Sequence, residues 1–184
     1  KNLDGPRNIK VAKNGDVFVV ESYSGNIKIL RDNDNDGKSD IEKIFAKGFK
    51  KPFGIDIHNN FLYIADTEFV WKISYTLGDL VQKSKATKVT KLNALGDSSG
   101  HWTRNIAIQE NKMYIAIGSR GNIEIEEYPR ATIQQLDLIT KKQKVLGVSR
   151  SKELNKVFLE VIIAKRSLRS DLQGGGEGGG RGLV

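Results

Sequence analysis

Apolar and polar positions alternate in short runs along the first two-thirds of the chain, and the runs repeat. An apolar strand, a tight turn and a second apolar strand begin near Ile9, return near Ile55 and return again near Ile106, which stand 46 and 51 residues apart. The first unit predicts strands at Ile9–Val11, Val17–Val20 and Asn26–Leu30, with a further strand near Ile44-Phe45. The second predicts Gly54–Ile57, Phe61–Ala65 and Val70–Ser74; the third, Asn105–Ile108, Met113–Ile117 and Ala131–Leu138. Asn14-Gly15 reads as a two-residue hairpin, because both residue types tolerate positive φ. Asn59-Asn60 and Glu110–Lys112 mark the matching turns. Several strands are apolar at successive positions, as in strands buried on both faces. A strand-built repeat of this period is the mark of a β-propeller blade, and it predicts an all-β, partial propeller of about three blades.

The pattern changes after Val145. Apolar residues at Leu154, Val157, Phe158, Val161 and Ile162 have helical spacing, with Ser151 as N-cap, and a glycine-rich run of residues 174–180 follows. The expected organisation is a partial propeller over residues 1–145 and a non-propeller tail over residues 146–184, helical at about 151–169.

Composition narrows the function classes. No apolar run approaches the length of a membrane-spanning helix. The absence of cysteine excludes disulfides and thiolate metal sites. A net charge of +8 invites nucleic acid as a partner, but the lysines are scattered and no aromatic residues interleave with them as a stacking platform. A solvated basic surface is the simpler account, and no nucleic-acid partner is expected.

Three segments carry candidate chemistry. In Arg31–Asp40, carboxylates alternate at Asp32, Asp34 and Asp36, Gly37 permits a sharp turn, and the Lys38 carbonyl and Asp40 complete a nine-residue set of hard oxygen donors for Ca2+. An acidic surface turn is the plainer reading; strict alternation followed by glycine favours calcium as a staple within a blade. In Gly100-His101-Trp102-Thr103-Arg104, His101 lies just before a predicted inner strand and has the pKa of a general base, although a lone loop histidine is more often structural. Ile117-Gly118-Ser119-Arg120-Gly121-Asn122 is a polar corner without the helix that a phosphate loop needs. Trp71 and Trp102 read as packing residues, and His58 as a surface residue.

Taken in order, these segments resemble the glucose/sorbosone dehydrogenase family of quinoproteins, most of all its sorbosone-type branch. The resemblance rests on Asn14–Val19, Arg31–Asp40, Lys51–Gly54, Gly100–Arg104, Tyr114–Ser119 and Arg130–Ile133, and covers roughly residues 5–145. It implies a six-bladed propeller that binds pyrroloquinoline quinone and Ca2+ and oxidises a sugar by hydride transfer to the quinone, outside the cytoplasmic membrane. By that resemblance His101 is the base, Ser119 stands where a carboxylate orients it in the glucose-oxidising branch, and Arg104, Arg120 and Asn122 hold the quinone. The electron acceptor is not implied. The family's Gly-x-Arg-Asn-Pro segment does not follow Val145, so the chain is expected to be an N-terminal half, inactive alone. Two alternatives stay open: a calcium-stabilised propeller module that binds a carbohydrate or protein without catalysis, and a lactonase-like hydrolase using Asp56, Asp66 and Asp97.

Overall fold

The computed structural model describes residues 3–121 and 126–148, and these form three four-stranded antiparallel sheets with no helix among them. The first sheet comprises β1 (Pro6–Val11), β2 (Val17–Glu21), β3 (Asn26–Arg31) and β4 (Ile41–Lys47). The second comprises β5 (Gly54–His58), β6 (Phe61–Ala65), β7 (Val70–Ser74) and β8 (Thr87–Lys88). The third comprises β9 (Arg104–Gln109), β10 (Lys112–Ile117), β11 (Thr132–Asp137) and β12 (Gln143–Val148). Each is a meander in chain order. The repeated isoleucines occupy its first strand every time: Ile9 in β1, Ile55 in β5 and Ile106 in β9.

The middle sheet explains the strands that are apolar at successive positions. Along β6, Leu62 and Ile64 point to one face and join Phe18, Val20, Ile27, Ile29 and Phe45 of the first sheet. Tyr63 and Ala65 point to the other and join Ile106, Ile108, Met113, Ile115 and Ile117 of the third. Phe18, Phe45 and Tyr75 meet edge to face, with ring centroids 5.1–5.9 Å apart, at the centre of the first layer. The far face of the first sheet is different: Ile9, Val11 and Ile44 are exposed there.

Inner strands β1, β5 and β9 are tied by one side chain. Asp56 on β5, 4% exposed, takes Lys10 Nζ from β1 at 2.6 Å and the Ile108 N–H of β9 at 2.6 Å. Gly54 leaves room for this approach, since a Cβ there would lie 2.6 Å from the Arg104 carbonyl oxygen. The strand starts are thus side by side, and the antiparallel order sends the loops to two opposite ends. The β2–β3, β4–β5, β6–β7, β8–β9 and β10–β11 connections share what we call the upper end; Ser22 Oγ there donates to the Pro52 carbonyl at 2.5 Å, linking the first two sheets. The β1–β2, β3–β4 and β7–β8 connections share the lower end, where Arg31 grips Asp16 (2.6 and 2.7 Å) and the Gly78 carbonyl (2.9 Å).

Some local expectations change. Residues 12–16 connect β1 to β2, with Val11 and Val17 the last pair, so Asn14-Gly15 is not a two-residue hairpin. Gly15 alone of the two takes positive φ (88°), while the Asn14 amide donates to Asp16 Oδ2 at 2.8 Å. Asn59 and Asn60 do form such a turn, at φ 46° and 61° between paired His58 and Phe61. Strand β8 has no apolar alternation to betray it, and β12 runs on to Val148, with most of its residues exposed. His58 is half-buried rather than a surface residue, with Nε2 enclosed. The predicted helix at about 151–169 and the glycine-rich end lie outside the described residues.

Candidate functional site

At the upper end of the third sheet the loop before β9 and the loop after β10 press backbone against backbone. Gly100, at φ 59°, and Gly118 make this possible: a Cβ on the first would sit 1.9 Å from the Arg120 carbonyl oxygen, and on the second 2.0 Å from that of His101. The His101 N–H donates to the Ser119 carbonyl at 2.8 Å, and the Gly118 N–H to the Thr103 carbonyl at 3.2 Å.

Three arginines hold this pair of loops around Asp97. Arg130, 1% exposed, donates to the carbonyls of Gly118 (2.7 Å), Asp97 (2.5 Å) and Ser99 (2.7 Å), and more distantly to that of His101 (3.4 Å). Arg104, fully buried, donates to the carbonyls of Asp97 (2.6 Å), Trp102 (3.0 Å) and Thr103 (3.1 Å), and its Nε has no partner. Burial, and secondarily the charge of Arg130, pull its pKa down to about 10. Arg120 reaches the Asp97 carboxylate with Nε at 3.0 Å and Nη2 at 2.7 Å. The Ser99 hydroxyl and amide, and then Arg120 and Arg130, hold the Asp97 carboxyl well below the usual carboxylate range.

The predicted residues separate on this scaffold. His101 is exposed, whereas Ser119 is buried and its hydroxyl donates to the Gly121 carbonyl at 2.7 Å. Ser119 therefore supports His101 through its own carbonyl. Arg104 faces inward onto main chain, Arg120 lies exposed on the rim, and Asn122 lies outside the described residues. Trp71 packs against Phe69 and Phe49, and its Nε1 donates to Asp66 at 2.8 Å. Trp102 does more than pack. It meets Phe53 edge to face at 6.0 Å, and the Arg7 guanidinium (5.7 Å) and Lys51 ammonium (6.0 Å) lie over its ring. Arg130, Arg7 and Lys51 went unassigned in the sequence, where each reads as an ordinary surface cation. Of the acids weighed for a hydrolase, Asp56 is the strand tie above. Asp66 accepts the N–H groups of Glu68, Phe69 and Lys50 as well as the Trp71 indole, so both are structural.

The acidic loop occupies the lower end, between β3 and β4. Carboxylate oxygens of Asp32, Asp34 and Asp40 lie within 4.8 Å of one another. Asp32 also accepts the N–H of Gly37 (2.9 Å) and of Asn35 (2.7 Å), which lower its pKa, the Gly37 bond most. Asp36 stands apart from this group, its carboxylate turned to the Lys38 N–H (2.7 Å) and ammonium (3.2 Å).

The sequence matches the TrAA12-like family over residues 1–149, rather than singling out the sorbosone-type branch. An uncharacterized protein of Borreliella burgdorferi is 24% identical over 156 residues, which cover 79% of this chain and 39% of that protein. The holo form of the PQQ domain of pyranose dehydrogenase from Coprinopsis cinerea superposes with a TM-score of 0.69 at 21% identity, over 80% of this chain and 39% of that one. The calcium structure of a Trichoderma reesei protein of Carbohydrate-Active Enzymes Family AA12 gives 0.62 at 17% identity, over 77% and 37%. The chain thus spans about two-fifths of the length of the relatives it matches. At these identities the likeness speaks for the fold: the three sheets are blades of a β-propeller-like architecture.

Proposed function

The chain belongs to the TrAA12-like family, and on that premise we propose that it forms part of a pyrroloquinoline-quinone-dependent oxidoreductase acting on an aldose or related sugar. The observation that carries this reading is His101, exposed at the upper end with its backbone clamped by the Ser119 carbonyl and neighbours fixed by Arg130. The main chain that carries the imidazole is thereby held at the upper end, where a general base can meet a ligand. His101 takes the proton of the sugar hydroxyl being oxidised. Ser119 positions it through the main chain, and Arg104 and Arg130 hold the loop.

The donor set at this end fits the quinone, an anionic planar group. Arg7 and Lys51 offer positive charge, and Trp102 and Phe53 offer flat apolar faces beside it, whereas Arg120 is paired with Asp97. When bound, the quinone supplies the electron acceptor that no side chain can provide. The acidic loop fits Ca2+: three carboxylates already converge, and the ion would relieve their mutual repulsion. Its position at the lower end suits a staple, not a participant. The exposed apolar face of the first sheet, with Ile9, Val11 and Ile44, is the kind of surface a neighbouring blade covers, in keeping with a ring that this chain builds in part.

Arg104 and Ser119, both spent on main-chain contacts, favour a second reading: a calcium-stabilised propeller module that binds a carbohydrate without chemistry. Adding quinone, Ca2+ and an aldose panel to the purified chain, with dye reduction and Trp102 fluorescence as readouts, separates the two. Dye reduction that falls about a hundredfold or more in His101→Asn supports the enzyme. Quenching without turnover supports a quinone site completed by further blades. If the quinone neither quenches Trp102 nor gives heat on titration, the oxidoreductase reading fails.

A further inference from the structure

Among the described residues, three buried side-chain polar atoms have no hydrogen-bond partner: Arg104 Nε, His58 Nε2 and the Tyr75 hydroxyl. Two of the three belong to residues that line one cavity of about 450 Å3 at the lower end, bounded by the β1–β2 and β5–β6 turns and the start of the β7–β8 connection. Buried polar groups are nearly always paired, so two in one place call for a partner. None of the roles above uses this cavity. Every polar side chain that lines it can donate, one of them the cation Lys13, and no carboxylate does; Ala12, Ile57 and Leu77 supply apolar wall.

The site is held by the fold. Tyr75 is 3% exposed, its ring packed edge to face against Phe18 and Phe45 and its N–H donating to the Asn60 carbonyl at 2.9 Å. His58 is fixed by its pairing with Phe61 across the turn. Burial raises the Tyr75 pKa, which the Gly78 amide opposes without completing a hydrogen bond, so the hydroxyl keeps its proton and can donate. Asp16 and Asp79, the acids that act on Tyr75, are already held by Arg31 and Lys83.

We propose that this cavity binds a small aliphatic carboxylate. A carboxylate only accepts, through two oxygens, and so meets the Tyr75 and His58 donors together while its charge faces Lys13. Its hydrocarbon chain lies against Ala12, Ile57 and Leu77. A neutral amide of the same shape leaves Lys13 unmet, and phosphate leaves the apolar wall unused. The volume falls within the range of small-molecule sites. Both unpartnered atoms are enclosed, so a ligand reaches them by displacing a wall; Leu77, 54% exposed, is the lining side chain with solvent to swing into. The proposal involves neither quinone nor His101, and it stands or falls apart from the redox reading.

The test is an amide NMR titration of the full chain, at fixed pH and ionic strength, with acetate, propionate and butyrate, and with butyramide and inorganic phosphate for comparison. Butyrate is expected to shift the amides of Lys13, Asn60, Tyr75 and Leu77 in a saturable way, each methylene beyond acetate tightening binding by up to about fourfold. Tyr75→Phe should weaken butyrate at least about fivefold, while the urea midpoint of the unliganded chain holds or rises because a buried hydroxyl without a partner has gone. The proposal is overturned if butyrate leaves these amides unmoved, or if butyramide or phosphate binds as tightly. It is overturned equally if Tyr75→Phe lowers the midpoint, since the hydroxyl would then already have its partner in water or in Gly78.

Discussion

Replacing Arg130 with methionine tests whether the upper-end loops are held as described. Methionine keeps much of the buried aliphatic stem and removes every donor. The guanidinium serves the carbonyls of Gly118, Asp97 and Ser99 within 2.7 Å, and the Asp97 carboxylate at 3.0 Å. Not all of these are stranded by its loss. The Asp97 carbonyl keeps Arg104, the Gly118 carbonyl keeps a long bond from the Ala131 N–H (3.4 Å), and the Asp97 carboxylate keeps Arg120 and is open to water. The Ser99 carbonyl and a weakened Gly118 carbonyl remain. At about 1–3 kcal/mol for a buried group left without a partner, and less for the carbonyl of Ser99, an exposed residue, the expected loss is about 1–3 kcal/mol. Relief of the repulsion between Arg130 and Arg104 trims it slightly. Arg130→Lys keeps the charge but not the fork, and should fall between methionine and wild type. Urea unfolding followed by tryptophan fluorescence gives the total. Amide exchange gives the location, with the His101 and Ala131 amides exchanging at least tenfold faster and those of β2 and β3 tracking global stability alone. A methionine variant within about 0.5 kcal/mol of wild type, with His101 exchange unchanged, would refute the account of Arg130 as the organiser of these loops.

Other perturbations probe the remaining joints. Asp56→Ala strands the Ile108 N–H between sheets and should cost about 2–3 kcal/mol in urea; a variant within about 0.5 kcal/mol of wild type would mean that the strands are not tied there. Gly118→Ala pushes a Cβ into the His101 carbonyl oxygen and should cost at least about 2 kcal/mol, measured the same way. Asp97 and Asp137 have folded pKa values below their unfolded ones, the latter through Lys112 first, so the unfolded chain binds more protons in that window. Their contribution is full above about pH 4 and lost as pH falls below it, so the urea midpoint should drop there, and less in Asp97→Asn/Asp137→Asn than in wild type. Calcium at a hundred times its Kd should raise stability by about 2.7 kcal/mol, an increment absent in Asp34→Asn. That substitution is the cleaner choice because Asp34 accepts one long main-chain bond (3.2 Å), where Asp32 anchors the loop even without an ion.

What could be read from the chain follows how directly a residue's role shows in its neighbours along the sequence. Ile9, Ile55 and Ile106 recur at one point of each unit because each lies in the first strand of a four-stranded meander, so the period survives in the sequence even though Ile55 and Ile106 are buried and Ile9 is exposed. Strands β8 and β12 are exposed and carry no apolar alternation, leaving nothing local to recognise. The meeting of Asp32, Asp34 and Asp40 was legible because all three lie within nine residues of one loop. Yet Asp36, predicted as a ligand, turns to Lys38, since alternation fixes the position of a residue but not the direction of its side chain. The arginine lattice was not legible at all. Arg104, Arg120 and Arg130 stand on three separate segments, and only pairing of β9 with β10 and of β10 with β11 brings them to Asp97.

Strand order also decides how the two candidate sites relate. His101 precedes the first strand of its sheet and the acidic loop joins the third strand of its sheet to the fourth, so an antiparallel meander must send them to opposite ends. No rearrangement of loops can bring the Asp32 cluster to a sugar held beside His101. An ion in that cluster acts by fixing the β3–β4 connection next to Arg31, whose grip on Asp16 and the Gly78 carbonyl joins the first two sheets at the lower end. Removing that ion should therefore lower the unfolding midpoint while leaving sugar and quinone affinities at the upper end unchanged. Chelation that weakened either ligand without lowering stability would mean that a second ion binds at the upper end, and that the lower cluster is only an acidic turn.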